Sequence, residues 1–422
     1  MELTCYPRLG EEVVRHILPN GLTVCVVKKP GFRQKYALLA TRYGGMDLRF
    51  RQGGTWVDTP AGIAHYLEHK MFDTAEGNAL QELALRGAEP NAFTSNAMTA
   101  YYFDSTEHFI PNLKTLLSFV SVPYFTAESV AKEQGIIAQE IGMIEDDPGW
   151  QVYKNLVRAL YPDSPAAIPV AGSVESIRHI TADTLYACHR AFYTPSNMCL
   201  VAVGDVDSSD IIAAAQEILP AEGGTPIERD YGGGSGSVTP LTERTMEVAQ
   251  PQFLAGFRCP DAPEGLERLR TNVIGDLAVD MLMGESSPLY SRLYAAGLIN
   301  ASFECGFDLL PGVAYVYAGG ESADSAAVLD AVRQEAARVV SEGVDEDYYQ
   351  RLRRAMFGAS LKGLNSFESI ALSMVEGCFH GFDAYRFPEI FDTVCKEDVL
   401  RFIRQNICDA PAALSVVQPK EE

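Results

Sequence analysis

Two histidines and a glutamate stand close together early in the chain, in the order H-x-x-E-H from His65 to His69. On a helix, residues four positions apart lie on the same face, so His65 and His69 can direct ring nitrogens at one ion. Glu68 would place its carboxylate beside that ion without having to bind it. Zinc hydrolases use such ligands to hold the metal and such a base to take a proton from water. The motif predicts a zinc centre with His65 and His69 as ligands and Glu68 as general base.

A third protein ligand should come from elsewhere, because catalytic zinc usually has three. The best candidate region is the segment 128–147, which is followed by Pro148. At about 100° per residue, one stripe contains Glu133, Ile137, Glu140 and Ile144, and it is flanked by Ile136 and Ile141. Carboxylates in an apolar stripe are costly unless a cation meets them. The alternative is that the stripe lies at a domain edge and both glutamates are in solvent.

Two other acids compete with Glu140 for the ligand role. Glu145 and Asp146 lie at a similar distance along the chain, but off the stripe and in an acidic run beside Pro148. A helix commonly ends before a proline, so these two side chains are expected in solvent. We therefore predict Glu140 as the third ligand and Glu133 as an acid that orients a ligand histidine or the water.

The elements that must position these residues can also be predicted. Ile63, Leu67 and Met71 recur at helical spacing and should anchor the histidine helix in a core. Strands such as Leu22–Val27 mix with long amphipathic helices on both sides of a segment rich in Gly, Pro, Ser and Thr. We predict an α+β protein with an N-terminal zinc-binding catalytic domain (1–220), a linker (221–244) and a C-terminal domain without metal (245–422).

Composition excludes several functional classes. The chain has 422 residues and a net charge of −22, which argues against nucleic acid because phosphates would be repelled. The sequence contains no run of eighteen apolar residues, so no membrane span is expected. The first residues lack the pattern of a signal peptide. The nine cysteines are scattered without a C-x-x-C pair. Reduced thiols in a cytoplasmic protein are therefore expected.

These motifs resemble the pitrilysin/insulinase-like zinc metallopeptidases, the inverzincins, over nearly the whole chain. Within that family the chain is similar to the short bacterial branch akin to the mitochondrial processing peptidase, and most of all to the YmfH-like proteins. The segments that carry the resemblance are the opening hairpin at Leu18–Val24, the zinc helix at Gly62–Phe72, the edge strand at Asn91–Ser95, the E-x6-E segment at Glu133–Glu140, and Phe192–Met198 followed by Gly204-Asp205.

The resemblance implies two structurally similar halves, each an α/β-sandwich-like domain, facing each other across a chamber. It implies one Zn²⁺ per chain, and a peptide substrate that pairs as an added strand with the backbone of Asn91, Ala92 and Phe93. In the second half, Asn272–Met283 would take the zinc-helix position, but it contains no histidine. That half should therefore lack a metal site.

One departure from the family concerns an arginine and a tyrosine seven positions apart in the second half, which assist the zinc in relatives that work alone. Here Arg292 is present, but position 299 is isoleucine and Asn300 stands about where the tyrosine would be. Tyr294 is a possible substitute donor, although a packing role is equally consistent with its type. The half-site for transition-state charge is therefore incomplete within one chain.

Three functional hypotheses follow. The first is a zinc metalloendopeptidase that acts alone on peptides or extended protein segments. The second is the zinc-bearing subunit of a dimer, in which a related metal-free chain supplies the missing groups; a homodimer is the alternative assembly. The third is a non-catalytic assembly or regulatory protein that keeps the fold. Retention of the whole motif, with Glu140 available as a ligand, favours the first two.

Overall fold

The computed structural model describes residues 1–232, 236–261 and 263–420. The strands are β1 (Glu2–Tyr6), β2 (Glu11–Ile17), β3 (Thr23–Lys28), β4 (Lys35–Thr41), β5 (Arg49–Gln52), β6 (Thr55–Asp58), β7 (Asp73–Thr74), β8 (Gly77–Asn78), β9 (Ala88–Thr94), β10 (Thr99–Ser105), β11 (Met198–Gly204), β12 (Glu228–Arg229), β13 (Leu241–Met246), β14 (Gln252–Cys259), β15 (Glu304–Leu310), β16 (Val313–Glu321) and β17 (Ala412–Pro419).

The helices are α1 (Ile63–Met71), α2 (Ala79–Leu85), α3 (Phe109–Ser121), α4 (Ala127–Glu145), α5 (Pro148–Leu160), α6 (Val174–Ile177), α7 (Ala182–Phe192), α8 (Ser208–Ile218), α9 (Leu266–Met283), α10 (Pro288–Ala295), α11 (Ser325–Glu342), α12 (Glu346–Gly363), α13 (Phe367–His380), α14 (Phe387–Thr393) and α15 (Lys396–Ile403). Helices and strands are mixed along the chain, and the predicted α+β class is confirmed. None of the helices within the described ranges is long and apolar enough to cross a lipid bilayer.

The chain divides into two compact units, and each contains its own large sheet. The first unit has a seven-stranded sheet in the order β1-β2-β3-β11-β4-β10-β9. The second unit has a five-stranded sheet in the order β13-β17-β14-β16-β15. Each sheet has one parallel pair, which is β3 with β11 in the first sheet and β13 with β17 in the second. The remaining neighbouring pairs are antiparallel.

The two sheets share one topology once β1 and β2 are set aside. The orders β3-β11-β4-β10-β9 and β13-β17-β14-β16-β15 both run first, last, second, fourth and third strand along the chain. In this scheme α1 and α9 each lie between the second and third strands. The predicted match between Asn272–Met283 and the zinc helix is therefore supported, because that segment lies within α9.

The units differ from the predicted contiguous domains. The first comprises Met1–Ile141, Pro169–Asp230 and Leu361–Tyr385; the second comprises Gly142–Ile168, Tyr231–Ser360 and the described chain from Arg386 onward. The physical reason lies in the sheets. Strand β11 is buried at every position, so both faces of the first sheet need cover. Helix α13 supplies it on one face, packing Phe367, Ile370 and Val375 into the apolar cluster formed by that sheet.

The second unit receives an element of the first half in the same way, since α5 packs on β14 and β17. Part of the predicted linker is also ordered and packs on the first unit. Strand β12 pairs with β5, and the Arg229 guanidinium lies 2.9 Å from Asp47 Oδ1. Residues 233–235 of that predicted linker lie outside the described residues.

The entry to α1 depends on close backbone packing at Gly62. This residue has φ 92°, a left-handed conformation, and it directly precedes the helix. A Cβ atom there would lie 2.5 Å from the carbonyl oxygen of Ala171. The predicted anchoring is confirmed, because Ile63, Leu67 and Met71 are at most 1% exposed. The loop at Gly62 therefore fixes where the histidine helix begins.

We predict that Gly62→Ala destabilises the first unit by more than the left-handed backbone alone requires. A non-glycine residue in this conformation costs about 1–3 kcal/mol, and the contact with Ala171 adds overpacking of about 1–3 kcal/mol. The matched control is Gly31→Ala, which has φ 80° but open space around the added methyl group. Thermal unfolding of both variants, followed by circular dichroism, should give the lower midpoint for Gly62→Ala. Equal midpoints would contradict the packing argument.

Candidate metal centre

Helices α1 and α4 bring the three predicted ligands together. His65 Nε2 lies 3.3 Å from Glu140 Oε1, and His69 Nε2 lies 3.5 Å from Glu140 Oε2. One nitrogen or oxygen atom from each of the three residues lies within 4.8 Å of the others. Two imidazoles and a carboxylate form a donor set known in catalytic zinc sites. The residues therefore fit a zinc ion by both donor type and proximity.

Glu133 contacts His69 and not the rest of the ligand set. Its Oε1 atom lies 3.1 Å from His69 Nδ1, while the other ring nitrogen of His69 faces Glu140. A carboxylate on one nitrogen of a histidine fixes the tautomer that leaves the second nitrogen free for a metal. The predicted orienting role of Glu133 is thus consistent with its place. His65 differs, because its buried Nδ1 has no hydrogen-bond partner in the described part of the chain.

Glu68 lies on α1 with its carboxylate largely buried, and only 8% of the residue is exposed. Thr94 Oγ1 donates a hydrogen bond of 2.6 Å to Glu68 Oε2. Burial raises the pKa of Glu68, although the Thr94 hydrogen bond and the two histidines oppose that rise. A buried carboxylate with a raised pKa accepts a proton more readily than an exposed one. Its environment therefore suits the predicted general base.

The charges around the two histidines are mainly negative. The hydrogen bond with His69 lowers the pKa of Glu133, and the hydrogen bond with His65 lowers the pKa of Glu140. Burial opposes the charged form of His69, but the hydrogen bond with Glu133 and the nearby carboxylates raise its pKa overall. Each of these interactions favours positive charge between the carboxylates. A divalent cation would satisfy the same electrostatic demand.

The alternatives for the third ligand can now be judged. Glu145 and Asp146 are both exposed and are absent from the metal-ligating cluster. The side chains of Glu133 and Glu140 are 17% and 37% exposed, so the alternative in which both are fully solvated is wrong. The predicted stripe is correct for Ile137 but not for all its flank, because Ile136 is 47% exposed. Only one side of α4 meets the core.

Strand β9 carries the three residues predicted to bind substrate through their backbone. It is an edge strand of the first sheet, as predicted, and β10 is its only neighbour among the described strands of that sheet. The Ala92 N–H donates to Asn91 Oδ1 at 2.8 Å. Phe93 is partly buried, and it pairs with Ala100 of β10. An incoming strand that uses the Ala92 N–H must therefore first displace the Asn91 side chain.

Sequence reasoning missed the role of Thr94. It lies one residue beyond the predicted substrate-binding set, on the same strand, and its hydroxyl reaches the general base on α1. Nothing in the local pattern distinguishes it from the neighbouring Ser95, because the contact joins a strand to a helix that precedes it in the chain. The structure therefore adds a positioning residue that couples β9 to Glu68.

Replacing Thr94 with valine should lower kcat and leave KM nearly unchanged. Valine keeps the shape but removes the donor, and a hydrogen bond to a charged group contributes about 1.5–3 kcal/mol. We therefore expect a fall in kcat of about 10- to 100-fold. Thr94→Ser keeps the hydroxyl and serves as the control, so it should retain most of the activity. Similar losses in both variants would show that the hydroxyl does not position Glu68.

The second unit holds the residues at which the chain departs from the family. Arg292 on α10 donates to Glu335 Oε2 at 2.6 Å, and Asn300 Nδ2 donates to Glu321 Oε2 at 2.7 Å. Ile299 is buried, whereas Tyr294 is 53% exposed and stacks on Tyr290. Arg292 and Asn300 are thus each bound to an acid of their own unit.

Comparison with known proteins gives two matches to family models. Residues 52–174 match the family described as "Insulinase (Peptidase family M16)", and residues 179–356 match "Peptidase M16 inactive domain". The first range contains all the proposed ligands and Glu68. The second contains α9, which carries no histidine.

Individual relatives agree with these matches. The chain is 36% identical to a Bacillus subtilis (strain 168) protein named "Uncharacterized zinc protease YmfH", with 98% of each chain covered. A crystal structure of a putative M16-like peptidase from Alicyclobacillus acidocaldarius superposes with a TM-score of 0.92 at 32% identity, covering 97% of this chain and 99% of the other. A peptidase M16 inactive domain from Pseudomonas fluorescens shares the fold, with a TM-score of 0.83 at 18% identity over 97% of this chain and 98% of that one.

Proposed function

The chain belongs to the insulinase family of peptidases, family M16, and from that premise we propose that it is a zinc-dependent endopeptidase. Its expected resemblance to this family, and to YmfH among its members, is confirmed. The proposed substrates are peptides or extended protein segments. The observation that carries the proposal is the convergence of His65, His69 and Glu140 within 4.8 Å, with the buried Glu68 on the same helix.

Each residue of the site then has a distinct task. Bound zinc, one ion per chain, would polarise the scissile carbonyl group and make a water molecule more acidic. Glu68 is placed to take a proton from the attacking water and to return it to the departing amine. Thr94 holds the Glu68 carboxylate through its 2.6 Å hydrogen bond, and Glu133 holds the His69 ring. The side chains are thereby oriented before substrate arrives.

The open edge of β9 supports binding of an extended peptide. A substrate strand would hydrogen-bond to the free side of β9, using the backbone of Asn91, Ala92 and Phe93. Backbone pairing gives affinity without strict side-chain selection, which suits an enzyme that accepts many sequences. Thr94 on the same strand contacts Glu68, so the pairing would place a peptide bond close to the general base.

The test is a digestion of a peptide library by the zinc-loaded chain, with the products identified by mass spectrometry. We expect cleavage at internal peptide bonds, its loss after chelation, and its recovery when zinc is restored. The Glu68→Gln variant, loaded with zinc in the same way, is the negative control. Zinc bound at one ion per chain without any cleavage, alone or with a related chain, would favour the non-catalytic alternative.

We further propose that this chain works as the zinc-bearing subunit of a dimer with a related chain that binds no metal. The Arg292 side chain is bound to Glu335, which also accepts from Arg338 at 2.7 Å. Asn300, in place of a tyrosine, is bound to Glu321. These contacts support a need for transition-state donors from a second chain.

Partner dependence can be measured directly. The purified chain should be assayed alone and after mixing with a paralogous chain that lacks the H-x-x-E-H motif. We expect kcat/KM to rise when both chains are present and the complex to elute at the size of a heterodimer. Full activity of the chain alone, unchanged by the paralogue, would rule out this dependence.

A further inference from the structure

Three cysteines of the first unit lie together at a site that takes no part in the proposed peptidase chemistry. Cys25 belongs to β3, Cys199 to β11 and Cys378 to α13. Their three sulfur atoms lie within 4.8 Å of one another, and those of Cys25 and Cys378 are 3.8 Å apart. No residue of the zinc centre described above belongs to this group.

The fold brings the sulfurs to one place from three elements. Strands β3 and β11 are parallel neighbours, and Cys25 and Cys199 both contribute to the face that α13 covers. Cys378 lies four residues after Met374 and therefore on the same face of α13. Cys25 and Cys199 are 3% and 0% exposed, whereas Cys378 is partly exposed and offers access from solvent.

The surroundings of Cys378 favour its thiolate form, which apolar packing alone would not require. The thiols of Cys199 and Cys25, together with the charge of Arg15, lower the pKa of Cys378. Arg15 faces Cys25 across the β2–β3 ladder, so its positive charge lies on the same side of the sheet. Thiolates, not thiols, bind metals, and these contacts favour a thiolate in the cluster.

We propose that Cys25, Cys199 and Cys378 bind one thiophilic monovalent cation of the copper(I) type. Three sulfurs around one ion, with metal–sulfur bonds of about 2.3 Å, would lie about 4 Å apart in a planar arrangement. The observed 3.8 Å separation of two of them needs little adjustment. The cluster holds only these three metal-ligating residues among the described residues, whereas structural zinc takes four. Soft thiolate ligands select copper(I).

Binding should also affect stability and proton balance. An ion held by the three sulfurs would join α13 to the two strands, so it would stabilise the first unit. The thiols must lose their protons to act as ligands, so binding releases protons in proportion to the number of thiolates formed. Neither effect involves Glu68 or its neighbours, which makes the site separable from the peptidase centre.

The test is an anaerobic titration of the zinc-loaded chain with copper(I) in competition with a chromophoric chelator. A background with Cys5→Ser and Cys395→Ser removes the two exposed thiols. We expect one tight equivalent of copper(I), bound more than 100-fold more weakly after Cys199→Ala or Cys378→Ser. Cys188→Ala, a buried cysteine outside the cluster, is the matched control and should bind as the parent does.

X-ray absorption of the copper(I)-loaded chain provides a second measurement that does not depend on how a variant folds. Three sulfur neighbours at about 2.3 Å are expected in the first shell. Copper(I) affinity unchanged by the cluster substitutions would overturn the proposal. A first shell of nitrogen or oxygen atoms would overturn it as well, and so would isolation of the parent with a Cys25–Cys378 disulfide and no copper(I) binding after reduction.

Discussion

Replacing Glu68 with glutamine is expected to lower kcat for peptide hydrolysis by about 10²–10⁴-fold. The amide cannot take a proton from water at neutral pH, whereas its oxygen can still accept the 2.6 Å hydrogen bond from Thr94. The residue is 8% exposed and the side chain should keep its place, so the fold of α1 is preserved. The loss therefore reports on proton transfer and not on unfolding.

Two measurements distinguish a loss of proton transfer in Glu68→Gln from a loss of structure. Steady-state kinetics on a peptide found in the library digestion give kcat and KM, and elemental analysis gives zinc per chain. We expect KM and zinc content close to those of the parent. Glu145→Gln, an exposed glutamate on α4, is the control and should retain full activity. Activity retained by Glu68→Gln at parental levels would refute the assigned base.

Replacing Glu140 with glutamine is expected to remove zinc from the chain. The amide is neutral and a much weaker ligand, and it takes away the carboxylate that lies 3.3 Å from His65 Nε2 and 3.5 Å from His69 Nε2. Loss of a partner behind a ligand typically weakens metal binding by about 10- to 100-fold, and loss of the ligand itself should exceed that. Hydrolysis should fall with zinc content.

The measurement is zinc affinity by competition with a chromophoric chelator, together with thermal unfolding of the metal-free forms. Glu140 is 37% exposed, so the metal-free variant should unfold close to the metal-free parent. Glu145→Gln again serves as the control, since Glu145 was a rival for the ligand role. Zinc loss in Glu145→Gln, with normal zinc in Glu140→Gln, would show that the third ligand was wrongly assigned.

The relation between the peptidase centre and the rest of the first unit depends on two helices and one strand. Helix α1 carries two ligands and the base, α4 carries the third ligand and the orienting Glu133, and β9 carries Thr94. Because Thr94 joins the base to the proposed substrate strand, a substitution that shifts the β9 backbone should alter both binding and proton transfer, whereas loss of the Thr94 hydroxyl alone should alter kcat. Substitutions on β9 are therefore best interpreted from kcat and KM separately.

Features governed by local backbone geometry could be predicted from the sequence alone. The spacing of His65 and His69 depends only on the helical repeat, and so does the burial of Ile63, Leu67 and Met71. The strand at Leu22–Val27 could also be predicted from the sequence, and it corresponds to β3. The edge strand at Asn91–Ser95 was predicted from the family resemblance, and β9 lies at the edge of the first sheet. The choice of Glu140 combined a local stripe with the chemistry that zinc needs.

Features that join distant parts of the chain were decided only by the tertiary structure. The contact of Thr94 with Glu68, the cover that α13 gives to the first sheet and the meeting of three cysteine sulfurs all join separate elements. Periodicity identifies an apolar face but not its partner, because any apolar face of matching size satisfies the same demand for burial. The predicted division at the linker 221–244 differs from the compact units for this reason. Each sheet is buried on both faces, and the covering helix comes from the other half of the sequence.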